Sequence, residues 1–150
     1  MRQGDKIPDF DVTDQRGETY PFGDLLTSGP VVLFFYPAAF TPGCTKESCH
    51  FRDLAAEFEA AGGRPVGISD DPVEKQADFD AKHGLGFTLL SDDHRRIAGL
   101  FGVGKLGPLK RRVTFVIARD GTVAEVIRND FNMSLHADRA LEVLRSLAER

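Results

Sequence analysis

Apolar positions recur along this chain in two rhythms, one for strands and one for helices. Val31 to Tyr36 (VVLFFY) is apolar without a break, and it is rich in β-branched and aromatic residues. Such a run predicts a strand buried on both faces. Arg64 to Ser69 (RPVGIS) and Phe87 to Leu90 predict two more strands. Between them the spacing turns helical. A helix is predicted from Pro42 to Ala61, where Phe51, Leu54, Ala55 and Phe58 share a face at roughly 100° per residue. A second runs from Asp71 to His83, with Asp71 as N-cap, Pro72 at the first helical position and Gly84 as the stop. A short helix follows from Asp93 to Leu100. Arg112 to Ala118 and Thr122 to Arg128 flank Asp120-Gly121, a hairpin signal. Ala137 to Ala148 closes as an amphipathic helix with Ala140, Leu141, Leu144 and Leu147 on its apolar side. Near the start, Phe10 to Asp14 and Glu18 to Tyr20 predict a hairpin around Gln15-Arg16-Gly17, and Phe22 to Leu26 a short helix.

The order is therefore hairpin, βαβαβα, hairpin, helix. Strands alternating with helices imply a partly parallel sheet flanked by helices, to which the second hairpin adds antiparallel strands. The expected class is α/β, with a mixed central sheet and an N-terminal β-hairpin, an arrangement that fits a thioredoxin-like fold. The 150 residues carry no repeat, linker or low-complexity stretch, so a single domain over residues 1–150 is expected. A net charge of −4 gives no global attraction to nucleic acid or to an acidic membrane surface. The longest apolar run is too short to span a bilayer, and MRQGDKIPDF lacks the apolar segment of a secretory signal. The expected location is the cytoplasm, where a permanent disulfide is not expected.

The chemistry concentrates in PAAFTPGCTKESC, residues 37–49, which holds both cysteines. Thr41 suits an N-cap and Pro42 the first helical position, so Cys44 falls in the first turn. Unpaired N–H groups and the positive end of the helix dipole stabilise an anion there, and the thiolate is the reactive form of cysteine. A thiol at the head of a helix that follows a strand also stands at the C-terminal edge of the sheet, where α/β proteins place their sites. Cys49 lies about 140° around the helix from Cys44, with Cα atoms roughly 8 to 9 Å apart, beyond disulfide reach. Either the pair never bonds, or the start of the helix unwinds. Gly43, Thr45 and Ser48 are weak helix formers and make unwinding easier.

Pro37, Thr41 and Cys44 form P-x-x-x-T-x-x-C, which resembles the peroxidatic motif of peroxiredoxins. The fuller TPGCTKESC, followed by Phe51-Arg52-Asp53, is similar to the bacterioferritin-comigratory (PrxQ) subfamily. GDKIPDFDVTDQRGE is similar to that family's opening hairpin, and Arg112 to Ile117 to its arginine-bearing strand. The resemblance implies thiol-dependent reduction of peroxides, with Cys44 peroxidatic and Cys49 resolving it as an intramolecular disulfide. It implies a thioredoxin-type reductant, no cofactor and no metal, and a monomer or weak homodimer. Thr41 would hydrogen-bond the peroxide, Arg112 would stabilise thiolate and transition state, Pro37 would shield the sulfur, and Glu47 would orient Arg112. The chain departs from the subfamily in having Ala38-Ala39-Phe40 after Pro37, where charged or polar residues are frequent. It has no C-terminal cysteine for resolution by a partner subunit's tail.

Other signals carry less. Gly102 to Gly107 matches G-x-G-x-x-G and Gly99 to Lys105 matches G-x-x-x-x-G-K, but both follow a helix and Leu106 replaces the magnesium-binding Ser or Thr. Lys105, Lys110, Arg111 and Arg112 read as a solvated basic loop. His50 beside Cys49 would need both cysteines on one helix face to hold a metal. His83, His94 and His136 read as surface or cap residues, and Asp70, Asp71, Asp92 and Asp93 as helix caps. A protein thiol–disulfide oxidoreductase would more usually show C-x-x-C than C-x4-C. A non-enzymatic binding protein would not depend on Cys44.

Overall fold

The computed structural model describes residues 1–106 and 109–149. The chain opens with β1 (Asp11–Thr13) and β2 (Thr19–Pro21), an antiparallel hairpin, and a 3-10 turn over Phe22–Leu26. Then come β3 (Val31–Phe35), α1 (Pro42–Asp53), α2 (Ala55–Ala60), β4 (Arg64–Ser69), α3 (Val73–His83), β5 (Thr88–Ser91) and α4 (Arg96–Phe101). A two-residue pair, β6 (Lys105–Leu106) and β7 (Leu109–Lys110), precedes β8 (Val113–Ile117), β9 (Val123–Arg128) and α5 (Met133–Ala148). The central sheet has the order β5-β4-β3-β8-β9. Strands β3, β4 and β5 run parallel, while β8 is antiparallel to both β3 and β9. This is the mixed, thioredoxin-like sheet that the element order predicts.

The unbroken apolar run of β3 feeds two cores. Val31, Leu33 and Phe35 point to one side, where they join Phe10, Val12, Phe22, Ile97 and Phe101. Val32, Phe34 and Tyr36 point to the other, against Phe51, Phe58, Phe79, Ala140 and Leu144 from α1, α2, α3 and α5. Alternation along a strand sends successive side chains to opposite faces, so a strand covered on both sides must be apolar throughout.

Several boundaries differ from expectation. Helix α4 starts at Arg96 and not at Asp93, because His94 and Arg95 take left-handed backbone. The predicted Pro42–Ala61 helix is broken at Leu54, whose N–H is shared between the carbonyls of His50 and Phe51. The break narrows the buried stripe: Phe51 and Phe58 are buried, Leu54 is half-buried and Ala55 is exposed. Helix α3 starts at Val73 behind an extended Pro72, without a side-chain cap from Asp71. Gly84, in the left-handed conformation, stops it as expected. Helix α5 starts four residues early, because Asn132 caps it by accepting the Leu135 N–H. Gly102 ends α4 instead of opening a helix, which removes the structural context a phosphate loop needs. The last residue of that stretch, Gly107, lies outside the described residues, as does Pro108 after it.

Candidate active site

Strand β3 ends at Phe35, and the loop from Tyr36 to Thr41 delivers the chain to α1 at the C-terminal edge of the sheet. Thr41 is the N-cap through its backbone, since its carbonyl accepts the Thr45 N–H at 2.9 Å. Its hydroxyl does not cap the helix. It donates instead to the Ala38 carbonyl at 2.8 Å, which leaves its oxygen able to accept a further hydrogen bond.

Cys44 follows in the first turn, fully buried. The Ala38 N–H donates to its Sγ at 3.4 Å. A cysteine here fills core volume and at the same time takes one backbone donor on its sulfur. The inward face of α1 comprises Cys44, Glu47, Ser48 and Phe51, the i, i+3, i+4, i+7 pattern of one helix face. Cys49 is half-buried against the same core, both cysteines are free, and α1 is unbroken between them.

Arg112 arrives from the residue before β8 and is almost buried. Its backbone N–H donates to Asp130 Oδ1 at 3.0 Å, and its guanidinium donates to Glu47 Oε1 at 3.0 Å. A Cβ added to Gly43 would stand 2.7 Å from an Arg112 terminal nitrogen. Gly43 is therefore what lets the guanidinium lie against the head of α1, one residue from Cys44 in the chain. The basic stretch around it is not a free solvated loop. Lys110 pairs with Asp70 at 2.7 Å, Arg111 with Asp130 at 2.9 Å, and Arg112 with Glu47.

Glu47 is fully buried, and one of its oxygens, Oε2, has no hydrogen-bond partner among the described residues. Burial pushes this carboxyl up to about 8, against the opposing pull of Arg112. His136 lies behind it, with Nδ1 at 3.8 Å from Glu47 Oε2. His136 is not a surface residue: it is fully buried, and burial holds its pKa below the usual range. Its Nε2 donates to the Asn129 carbonyl at 2.7 Å, which can only accept; its Nδ1 therefore accepts from the Thr114 hydroxyl, also at 2.7 Å. That is the neutral tautomer.

A pH dependence of stability follows. Glu47 is raised above its ordinary 4.5, so the unfolded chain gives up this proton while the folded one keeps it. Stability from this source is complete below 4.5 and is lost as pH rises toward 8, by at most about 1.4 kcal/mol per pH unit. His136 works in reverse. The unfolded chain takes up a proton below 6.5 that the folded chain refuses, and stability falls on the acid side. Above 6.5 the Glu47 trend stands alone. Urea midpoints measured upward from 6.5 to 8 should fall in the native chain and stay level in Glu47→Gln.

The aspartates also divide. Asp92 accepts the Ile97 and Ala98 N–H groups and caps α4 as predicted. Asp71 instead accepts the Ala39 N–H at 2.7 Å and the Ser69 hydroxyl at 2.6 Å, both buried. Asp70 is taken by Lys110, and Asp93 is exposed beside His94. Sequence reasoning thus finds Cys44, Thr41, Pro37, Arg112 and Glu47 gathered around one helix start. It misses Asp71, Lys110 and His136.

The model of the AhpC/TSA family matches residues 3–126. The crystal structure of peroxidoxin BcpB from Mycobacterium tuberculosis is 52% identical, with a TM-score of 0.91 over 98% of each chain. The chloroplastic peroxiredoxin Q of Sedum lineare is 40% identical over 98% of this chain and 80% of its own. A structure of Xanthomonas campestris peroxiredoxin Q is 29% identical, with a TM-score of 0.84 over 93% of this chain and 91% of that one. A chain with this sheet, this buried thiol and these relatives belongs to the AhpC/TSA family, as a thiol-dependent peroxidase of the PrxQ type of peroxiredoxins.

Proposed function

We propose that the protein reduces hydrogen peroxide and organic hydroperoxides with Cys44 as the peroxidatic thiolate and Cys49 as the resolving thiol. The Cys44 thiolate attacks one peroxide oxygen; an S–O bond forms as the O–O bond breaks. Sulfur is oxidised to the sulfenic acid, and the departing oxygen takes a proton and leaves as water or alcohol. Cys49 then attacks the sulfenic sulfur, an S–S bond replaces the S–O bond, and water is released. A thioredoxin-type dithiol supplies two electrons and two protons to restore both thiols. Arg112 stabilises the thiolate and the charge that develops on the leaving oxygen. Thr41 accepts a hydrogen bond from the peroxide, Pro37 covers the sulfur, and Glu47 orients Arg112. The setting is the reducing cytoplasm, with free cysteines at rest.

The observation that carries the reading is the buried Sγ of Cys44 at a helix head, with a backbone N–H on it and an arginine against the adjoining glycine. Resolution requires α1 to unwind from its start. Phe51 limits how far: it stacks on Phe34 at 4.1 Å and on Phe58 at 5.6 Å, anchoring the helix beyond Cys49. Within the segment that must open, Glu47 Oε2 and Ser48 Oγ are buried without hydrogen-bond partners among the described residues. Exposing them regains hydration and offsets part of the cost of opening.

Mass spectrometry of the intact reduced protein after one equivalent of hydrogen peroxide tests the cycle. Loss of two hydrogens without a dimer is expected, and Cys49→Ser should retain an added oxygen instead. An added oxygen in the native chain would assign resolution to an external thiol. An unchanged mass would remove Cys44 from the peroxidatic role.

A further inference from the structure

Two consecutive peptide units of the loop between β3 and α1 have all four polar groups engaged. In the first, the Pro37 carbonyl accepts from Lys110 Nζ at 3.4 Å, and the Ala38 N–H donates to Cys44 Sγ at 3.4 Å. In the second, the Ala38 carbonyl accepts from the Thr41 hydroxyl at 2.8 Å, and the Ala39 N–H donates to Asp71 Oδ2 at 2.7 Å. Each plane is thus held from outside the loop at one end and, at the other, from the reacting helix or its N-cap residue.

The outside holds come from one place. Asp70 and Asp71 form the turn after β4. Asp70 secures Lys110 at 2.7 Å, and Asp71 is fixed in turn by the Ser69 hydroxyl at 2.6 Å. Gln76 donates to that same Ser69 oxygen, so the support runs back into α3. The loop needs holding. Phe40 sits at φ 66°, in the left-handed region that is unfavourable for a residue with a Cβ.

The geometry points to Asp71 as a positioning residue for peroxide reduction: with Lys110 it fixes the loop so that the Ala38 N–H stays on the sulfur of Cys44. The inference rests on Cys44 being the peroxidatic residue. Asp71 touches neither sulfur nor peroxide. It acts through the 38–39 peptide, which passes its orientation to the donor on Cys44. Release of Ala39 frees the 38–39 unit and with it the Ala38 Cα on which the 37–38 unit ends, so the Ala38 N–H is no longer held on the sulfur. Misplacement of a reacting or stabilising group by about 1 Å can slow a reaction on the order of a hundredfold.

The experiment is single-turnover oxidation of the reduced protein by hydrogen peroxide with no added thiol. Two quantities are read: the rate of thiol loss, and the thiolate fraction at neutral pH from its ultraviolet absorbance. Asp71→Ala should react about ten- to a hundredfold more slowly, with less thiolate, while circular dichroism stays native. Asp71→Asn keeps an oxygen for the Ala39 N–H and should restore a rate near that of the native chain. A merely structural aspartate would give neither the thiolate change nor the rescue. Native rate and thiolate content in folded Asp71→Ala would overturn the inference, as would an Asp71→Asn chain as slow as the alanine variant. Should Asp71→Ala fail to fold, Lys110→Met decides. Slowing by several-fold there supports the loop's role, and a native rate overturns it. A native chain that loses no thiol to peroxide would instead sink the peroxidatic reading itself.

Discussion

Cys44→Ser leaves no measurable peroxide reduction, a fall of at least about three orders of magnitude. The reason is chemical before it is structural. A serine hydroxyl stays protonated at neutral pH, and its oxygen does not displace on a peroxide O–O bond. In the proposed mechanism three features serve a sulfur anion at this one position: the helix head, the Ala38 N–H and the guanidinium against Gly43. Cys49 cannot take over. It lies further along α1, half-buried and away from the loop donors. The substitution is smaller than the native residue and retains a hydrogen-bonding group, so the fold survives. Peroxide consumption coupled to reduced thioredoxin and its reductase is the measurement. Activity surviving in a correctly folded Cys44→Ser chain would assign the peroxidase to another residue.

Much of this was legible in the sequence, and the misses share a cause. A continuous apolar run marked β3, and Asp120-Gly121 marked the turn between β8 and β9. Pro37, Thr41, Cys44 and Glu47 were legible because they cluster at one strand-to-helix junction, and Arg112 only through its strand's resemblance to the family's arginine-bearing strand. Asp71, Lys110 and His136 were not. Each is a polar residue whose partner is distant in the chain: Asp71 to Ala39, Lys110 to Asp70 and Pro37, His136 to Thr114 and Glu47. Local rules assign such residues to caps and surfaces, because capping is the commonest local use of an aspartate. Only the sheet order brings β4, the loop after β3 and the approach to β8 together. The break at Leu54 escaped for a related reason. The spacing of Phe51 and Phe58 satisfies one continuous helix as well as two short ones.

Arg112→Met should cost peroxide reduction about two to three orders of magnitude, the usual price of removing one preorganised group that stabilises a developing oxyanion. It should also weaken the fold, and the two losses can be separated. Glu47 keeps its full burial in the variant but loses the Arg112 charge and hydrogen bond that oppose burial, so its carboxyl rises further and it folds as the neutral acid. A charged carboxylate stranded there would cost about 3 to 5 kcal/mol; protonation lowers that figure near neutrality and lets it return as pH rises. The stability deficit of Arg112→Met relative to the native chain should therefore widen from neutral to alkaline pH. Adding Glu47→Gln removes the titrating group, so it should recover much of the stability and abolish the widening. It should recover none of the activity, because the missing positive charge at the head of α1 is still missing. Denaturant midpoints and peroxide kinetics on both variants measure this. If the double variant regains peroxide reduction along with stability, Arg112 serves the fold by neutralising Glu47 and not the oxygen that leaves.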